Sequence, residues 1–145
     1  MIGQYAHGNE PSHHIAYLYA YSDAPKMGQK YIHRIINEFH KDTPDGMIGN
    51  DDCGQMSAWY ILSSLGFYPV NPATGEFVLG APQVKKATLH LTQNKKMVIE
   101  AANVSTQNIY SEKVFWNEKT LEKPFLTYQQ MMDGGVLRFE MTEKQ

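Results

Sequence analysis

Gly49-Asn50-Asp51-Asp52-Cys53-Gly54-Gln55-Met56-Ser57-Ala58-Trp59 decides how this chain is read. Acidic and amide side chains sit in a turn, and an apolar helix starts directly behind them. A helix start leaves backbone N–H groups unpaired and carries a partial positive charge. Asp51 or Asp52 therefore makes a good N-cap. The same geometry can hold a carboxylate ionised at the floor of a cleft. The helix is expected over 53–65, with Gly66 as its C-terminal stop. Met56, Trp59, Tyr60, Ile61, Leu62 and Leu65 make it apolar on most sides, which predicts a buried helix in a helix-rich body.

Upstream lies His7-Gly8-Asn9-Glu10-Pro11-Ser12-His13-His14. Gly8 and Pro11 make it a loop or turn. One reading is a polar loop whose Ser12 caps the helix after it. The other is an oxygen-rich site for a hard cation or for sugar hydroxyls. Adjacent His13 and His14 on a helix would point about 100° apart, which disfavours a shared zinc. Asn9 and Glu10 suit calcium better than a soft metal.

Residues 15–21 are nearly all apolar and aromatic and read as a buried helix. Asp23 near the cap and Pro25 in the first turn restart a helix. Met27, Tyr31, Ile35 and Phe39, widened by Ile32 and Ile36, form its core stripe. Lys30, Arg34, Asn37 and Lys41 lie opposite, and His33 and His40 are expected on or beside that solvated face. Three helices in so short a stretch cannot bury a large core alone, so they read as the last part of a bigger helical domain.

Beyond Tyr68-Pro69-Val70 the composition changes to short strand-like runs: 76–79, 85–91, 96–101, 109–116 and 135–141. Gln93-Asn94 and Asn117-Glu118 fit tight reversals. Residues 127–132 form a short helix ended by Gly134-Gly135. This half reads as an antiparallel sheet or sandwich, which makes the chain α+β: 1–67 helical and 68–145 β-rich.

The chain has 145 residues, 42% hydrophobic and 19% charged, with a net charge of −2. There is no basic footprint for nucleic acid. The single cysteine, Cys53, excludes an internal disulfide framework. No stretch is apolar for long enough to span a membrane as a helix, and no secretory leader is legible.

Together, H-G-N-E-P-S-H-H and G-N-D-D-C-G-Q-M-S-A-W-Y closely resemble glycoside hydrolase family 92. F-Y-P-V-N-P-x-T-G-E-F-V-L-G and the terminal G-G-x-L-x-F-x-M also look like that family. The resemblance implies a calcium-dependent, inverting exo-α-mannosidase, mostly bacterial and exported to the periplasm or secreted. It implies a β-sandwich followed by an (α/α)6 barrel, of which this chain would be the C-terminal part. By that likeness the last aspartate of the motif, the general base that activates water, falls on Asp52, with Asp51 as second choice. Asn50 stands where many members have an assisting aspartate; it can orient a water but cannot take its proton. His7, Glu10 and His13 are implied as substrate-binding, and Asn9 and Glu10 as metal-binding. The general acid would lie upstream, so the chain alone is expected to be inactive. The implied partners are a mannose-containing glycan and the upstream part of the same enzyme. Self-association of the isolated chain is also expected.

Two other classes remain open on the residues. In a non-catalytic carbohydrate- or partner-binding module, both aspartates are caps and Tyr5, Trp59 and Trp116 are core or sugar platforms. A zinc hydrolase would use His7, His13, His14 and Cys53, although no HExxH or CxxC spacing supports it.

Overall fold

The computed structural model describes residues 2–145. A 3-10 turn at Glu10–Ser12 leads into a 3-10 helix, Ile15–Tyr21. Helices α1 (Pro25–Phe39) and α2 (Gln55–Leu65) follow. Then come β1 (Phe67–Tyr68), β2 (Glu76–Leu79), β3 (Lys86–His90), β4 (Lys96–Glu100), β5 (Tyr110–Trp116), β6 (Lys119–Thr120) and β7 (Phe125–Thr127). Helix α3 (Tyr128–Asp133) and β8 (Gly135–Thr142) close the chain. The chain is α+β, as its composition shift implies.

The strands form two sheets. The smaller has the order β1-β2-β7 and is antiparallel throughout. It separates two cores, because neighbouring residues on a strand point to opposite faces. Phe67 and Leu79 join the sheet core with Met97, Ile99, Leu137 and Phe139. Tyr68 and Val78 join the helical core with Tyr17, Ile32, Ile35 and Trp59. The larger sheet has the order β3-β4-β8-β5-β6. Hairpins make its flanks: Asn117 and Glu118, at φ 48° and 68°, are the two-residue reversal between β5 and β6. Strand β8 inserts at the centre, antiparallel to β5 but parallel to β4. The sheet is therefore mixed. An all-antiparallel sheet was the simplest expectation for adjacent hairpins, but β8 returns only after β6, β7 and α3, and that crossover permits the parallel pairing.

Two helical expectations need correction. The 15–21 segment winds as a 3-10 helix, so residues three apart eclipse one another. Ala16 and Tyr17 are buried while Ile15, Leu18 and Tyr21 share one exposed stripe. Helix α1 keeps its expected start, with Ala24 at the N-cap, Asp23 directly before it and Pro25 in the first turn, and the Ser22 hydroxyl accepts the Ala24 N–H. Helix α2 starts at Gln55 and buries Met56, Trp59 and Ser63, leaving Tyr60 and Ile61 exposed. On that side Tyr60 packs against the His40 ring, yet Tyr60 and Ile61 both stay exposed.

Gly66 ends α2 at φ 95°, donating its N–H to the Leu62 and Ser63 carbonyls. A Cβ there would sit 3.0 Å from Pro82 Cδ and 3.1 Å from Phe139 Cζ. Gly66→Ala is expected to cost about 1–3 kcal/mol in urea unfolding, from the left-handed backbone and the crowding together. A loss under about 0.5 kcal/mol would contradict this account of the helix end.

Candidate functional site

Two loops meet in front of the helical core. In the first, Pro11 sits in the opening of the Glu10–Ser12 turn. The Ser12 hydroxyl donates back to the Ala6 and Asn9 carbonyls at 2.7 and 2.8 Å. Ser12 therefore closes its own loop and does not cap the helix that follows. In the second loop, Asp52, Cys53 and Gly54 are successively left-handed, at φ 38°, 60° and 84°. This run turns the chain sharply into α2. The loops touch at glycines: a Cβ on Gly49 would lie 3.0 Å from the Gly8 carbonyl oxygen and 3.1 Å from Gly8 Cα. A side chain at Gly49 would press the loops apart, whereas a Cβ on Gly8 would make only ordinary contact at 3.5 Å.

The aspartates divide the two jobs between them. Asp51 accepts the Ser57 N–H at 2.8 Å and the Ser57 hydroxyl at 3.0 Å. It satisfies an orphan donor in the first turn of α2, although it lies outside the usual capping position. Asp52 is exposed, and its carboxyl lies against that of Glu10 from the other loop. The hydrogen bond with Glu10 raises the Asp52 pKa, followed by the Glu10 charge, some desolvation and the Asp51 charge. Asn50 and Asn9 are exposed beside them.

Behind the loops lies a nest of buried rings. His7 and His13 are 0% and 1% exposed. His13 Nε2 is 3.0 Å from the His7 carbonyl oxygen, and a carbonyl can only accept, so that nitrogen carries the proton. His13 Nδ1 is then an acceptor and takes the Gln55 amide N–H at 3.2 Å. His7 Nδ1 is 2.8 Å from the Tyr5 hydroxyl, and its Nε2 is 3.0 Å from His40 Nε2. Trp59 packs edge-on to His7 and donates its indole N–H to the His13 carbonyl at 3.0 Å. Burial first, then the neighbouring His13 and His40, push the His7 pKa down to about 3. Burial likewise lowers His13 and His40.

The chain's predicted site residues thus fall into two groups. Glu10 and Asp52 meet at the surface, flanked by Asn9 and Asn50. His7 and His13 lie inside, with their ring nitrogens engaged in internal hydrogen bonds, and in this arrangement they hold the loop. His40 corrects its expectation: it belongs to the ring nest, stacked on Trp59. Gln55 and Ser57 were missed as site residues. Their signal was their place in the first turn behind the aspartates.

The donor set favours a hard cation over zinc. Among the described residues no three His, Cys, Asp or Glu side chains converge as a metal cluster. Glu10 Oε1 is buried with no hydrogen-bond partner. An orphaned carboxylate oxygen with a second carboxyl against it fits one side of a calcium shell, which takes 6–8 oxygens. The remainder would come from water, substrate hydroxyls or residues beyond this site. Chemically the pair can share a proton or hold such a cation.

Three comparisons with known proteins agree. A family model described as the glycosyl hydrolase family 92 catalytic domain matches residues 1–143. A family GH92 alpha-mannosidase from Bacteroides thetaiotaomicron is similar at 44% identity and a TM-score of 0.95, covering 99% of this chain and 19% of its own. The same mannosidase has been solved in complex with mannoimidazole. A family GH92 inverting mannosidase from the same organism is similar at 37% identity and a TM-score of 0.91, again over 99% and 19%. A protein of Arthroderma benhamiae, described as an uncharacterized secreted glycosidase, is 26% identical over 95% of this chain and 18% of its own length. The chain spans about a fifth of the length of these relatives.

The neutral ring nest makes stability depend on pH. The folded His7 pKa lies below the unfolded one, so between pH 7 and 5 the unfolded chain binds a proton that the folded chain refuses. Stability is full above the unfolded value and falls as pH drops below it. The raised Asp52 pKa acts in the opposite sense, while His13 and His40 act in the same sense as His7. Melting temperature is therefore expected to decline from pH 7 to 5; a flat or rising profile would contradict buried neutral histidines.

Proposed function

The chain belongs to glycoside hydrolase family 92, and from that premise we propose that it is a C-terminal part of a calcium-dependent, inverting exo-α-mannosidase. On this reading residues 1–67 supply the terminal helices of an (α/α)6 barrel, and 68–145 form the β-rich region after it. The parent removes terminal α-mannose from glycans, with α-1,2 linkages preferred, and is an exported bacterial protein, periplasmic or secreted. The observation that carries the proposal is the exposed Asp52 carboxyl set against Glu10 across two touching loops. The 44% identity to a family GH92 alpha-mannosidase over nearly the whole chain supports it.

Inverting hydrolysis uses one carboxylic acid at the leaving oxygen and one carboxylate behind the sugar. They stand about 6.5–9.5 Å apart so that a water fits between. Asp52 takes the part of the base. Without a cation the Glu10 contact raises its proton affinity; with Glu10 engaged by calcium that rise would be offset and Asp52 would stay ionised, as a base must be. Asn50 orients the attacking water. Asp51 keeps the turn in place through Ser57. Asn9 and Glu10 would hold the calcium, which supplies Lewis-acid polarisation of sugar hydroxyls when bound. His7 and His13 support the pocket from behind. The general acid lies outside this chain, so the chain alone lacks half of the pair.

Asp52→Asn in the full-length parent is expected to lower release of the aryl group from an aryl α-mannoside by about 10²–10⁴-fold. Asn caps a helix nearly as well as Asp, so a purely structural Asp52 would leave turnover intact. The isolated 145-residue chain is expected to show no turnover. Chelation should silence the parent, and calcium, not zinc, should restore it. Ile15, Leu18, Tyr21, Tyr60 and Ile61 are all exposed apolar groups, so the isolated chain is also expected to self-associate in sedimentation. A monomer at high concentration would contradict that.

A further inference from the structure

Gln55 has no part in the chemistry above, yet it stands between the two loops. It is the first residue of α2, and its backbone N–H donates to the Asp52 carbonyl at 3.2 Å. It therefore moves with the turn that presents Asp52. Its side-chain amide donates to His13 Nδ1 at 3.2 Å and to the Tyr68 hydroxyl at 3.0 Å. The direction of the His13 bond is fixed, because His13 Nε2–H is committed to the His7 carbonyl.

His13 in turn grips both ends of the 7–10 loop. Its ring holds the His7 carbonyl, and its backbone N–H donates to the Glu10 carbonyl at 3.0 Å. Trp59 also ties His13 to α2, but through the His13 backbone carbonyl, and Met56 Sδ on α2 lies 3.1 Å from His13 Nε2, beside the His7 carbonyl. The Gly8–Gly49 approach is non-directional and allows sliding. Two contacts tie the ring of His13 to α2, and the Gln55 amide is the stronger of them, because the Met56 sulfur is a weak acceptor.

Resting on the reading of Asp52 as the base, we propose that Gln55 is a positioning residue: through His13 it sets the separation of the Asp52 and Glu10 carboxyls. It touches neither carboxyl itself. The constraint runs from the Asp52 turn, through the Gln55 amide and the His13 ring, to the loop that ends in Glu10. Misplacing a catalytic group by about 1 Å can cost up to about 100-fold in rate. The loss then appears in turnover before it appears in folding.

The test uses Gln55→Met in the full-length protein, with an aryl α-mannoside as substrate. Methionine keeps the volume and removes the donor. We expect kcat to fall about 10- to 100-fold. The melting temperature should stay within a few degrees of the wild type. In an Asp52→Asn background the same change should add less than about twofold, because its effect passes through Asp52. His13→Gln, which keeps a donor for the His7 carbonyl, should retain more turnover than His13→Leu, and this pair carries the test if Gln55→Met does not fold. A kcat within about twofold of wild type overturns the proposal, as does a loss that multiplies in full on Asp52→Asn. If wild type cleaves nothing, or Asp52→Asn stays active, the reading of Asp52 fails first and the role of Gln55 fails with it.

Discussion

Everything at the candidate site depends on two backbones passing within van der Waals contact at Gly8 and Gly49. Gly49 is at φ 77°, a conformation a side chain would resist, and a Cβ there would meet the opposite carbonyl. With the backbones this close, residues two and three places along each loop, Glu10 and Asp52, face each other. Two carboxyls so near cannot both be ionised cheaply. The outcome is a site that seeks a proton or a cation, and the raised Asp52 pKa and the orphaned Glu10 oxygen are two signs of that one fact.

The rings behind the loops turn proximity into geometry. Imidazoles taken out of water stay neutral unless an acid pairs with them, and here His7, His13 and His40 face one another and Trp59. A neutral imidazole has one donor and one acceptor, so each bond assigned to it dictates the next. His13 shows this most clearly. Its donor is committed to the His7 carbonyl, so its acceptor must be met by Gln55. Buried polar networks specify a single arrangement only when every member is satisfied. This one therefore contributes definition to the site as well as stability.

Farther out, the small sheet does a different kind of work. Because Phe67/Leu79 and Tyr68/Val78 point to opposite faces, it is packed on both sides and joins the helical core to the sheet core. The Tyr17 hydroxyl donates to Ser63 across the helices, and Gln29 bonds Ser111 from α1 to β5. Such cross-links make the helices and sheets one body. The outer faces of the 3-10 helix and α2 remain apolar and wet, in keeping with a chain about a fifth as long as its relatives.

Local rules in the sequence determined a good deal of this. Short strand-like runs between turn residues located β2 at Glu76–Leu79 and the other long strands to within a residue or two, with alternation adding to the reading of β3. The Asn117-Glu118 reversal, the Gly66 stop and the short helix after Thr127, which carries a full capping box, could all be read from turn and cap chemistry. The paired motifs pointed to the family. Only the tertiary structure decided the rest. The parallel pairing of β4 with β8 depends on a long-range return of the chain. The 3-10 winding of Ile15–Tyr21 and the wet side of α2 depend on what packs against them. The division of labour between Asp51 and Asp52 came down to which carboxylate the left-handed turn swings toward Ser57 and which toward Glu10. Periodicity records which residues prefer to be dry or helical; it holds no information about which distant backbone arrives within hydrogen-bonding reach.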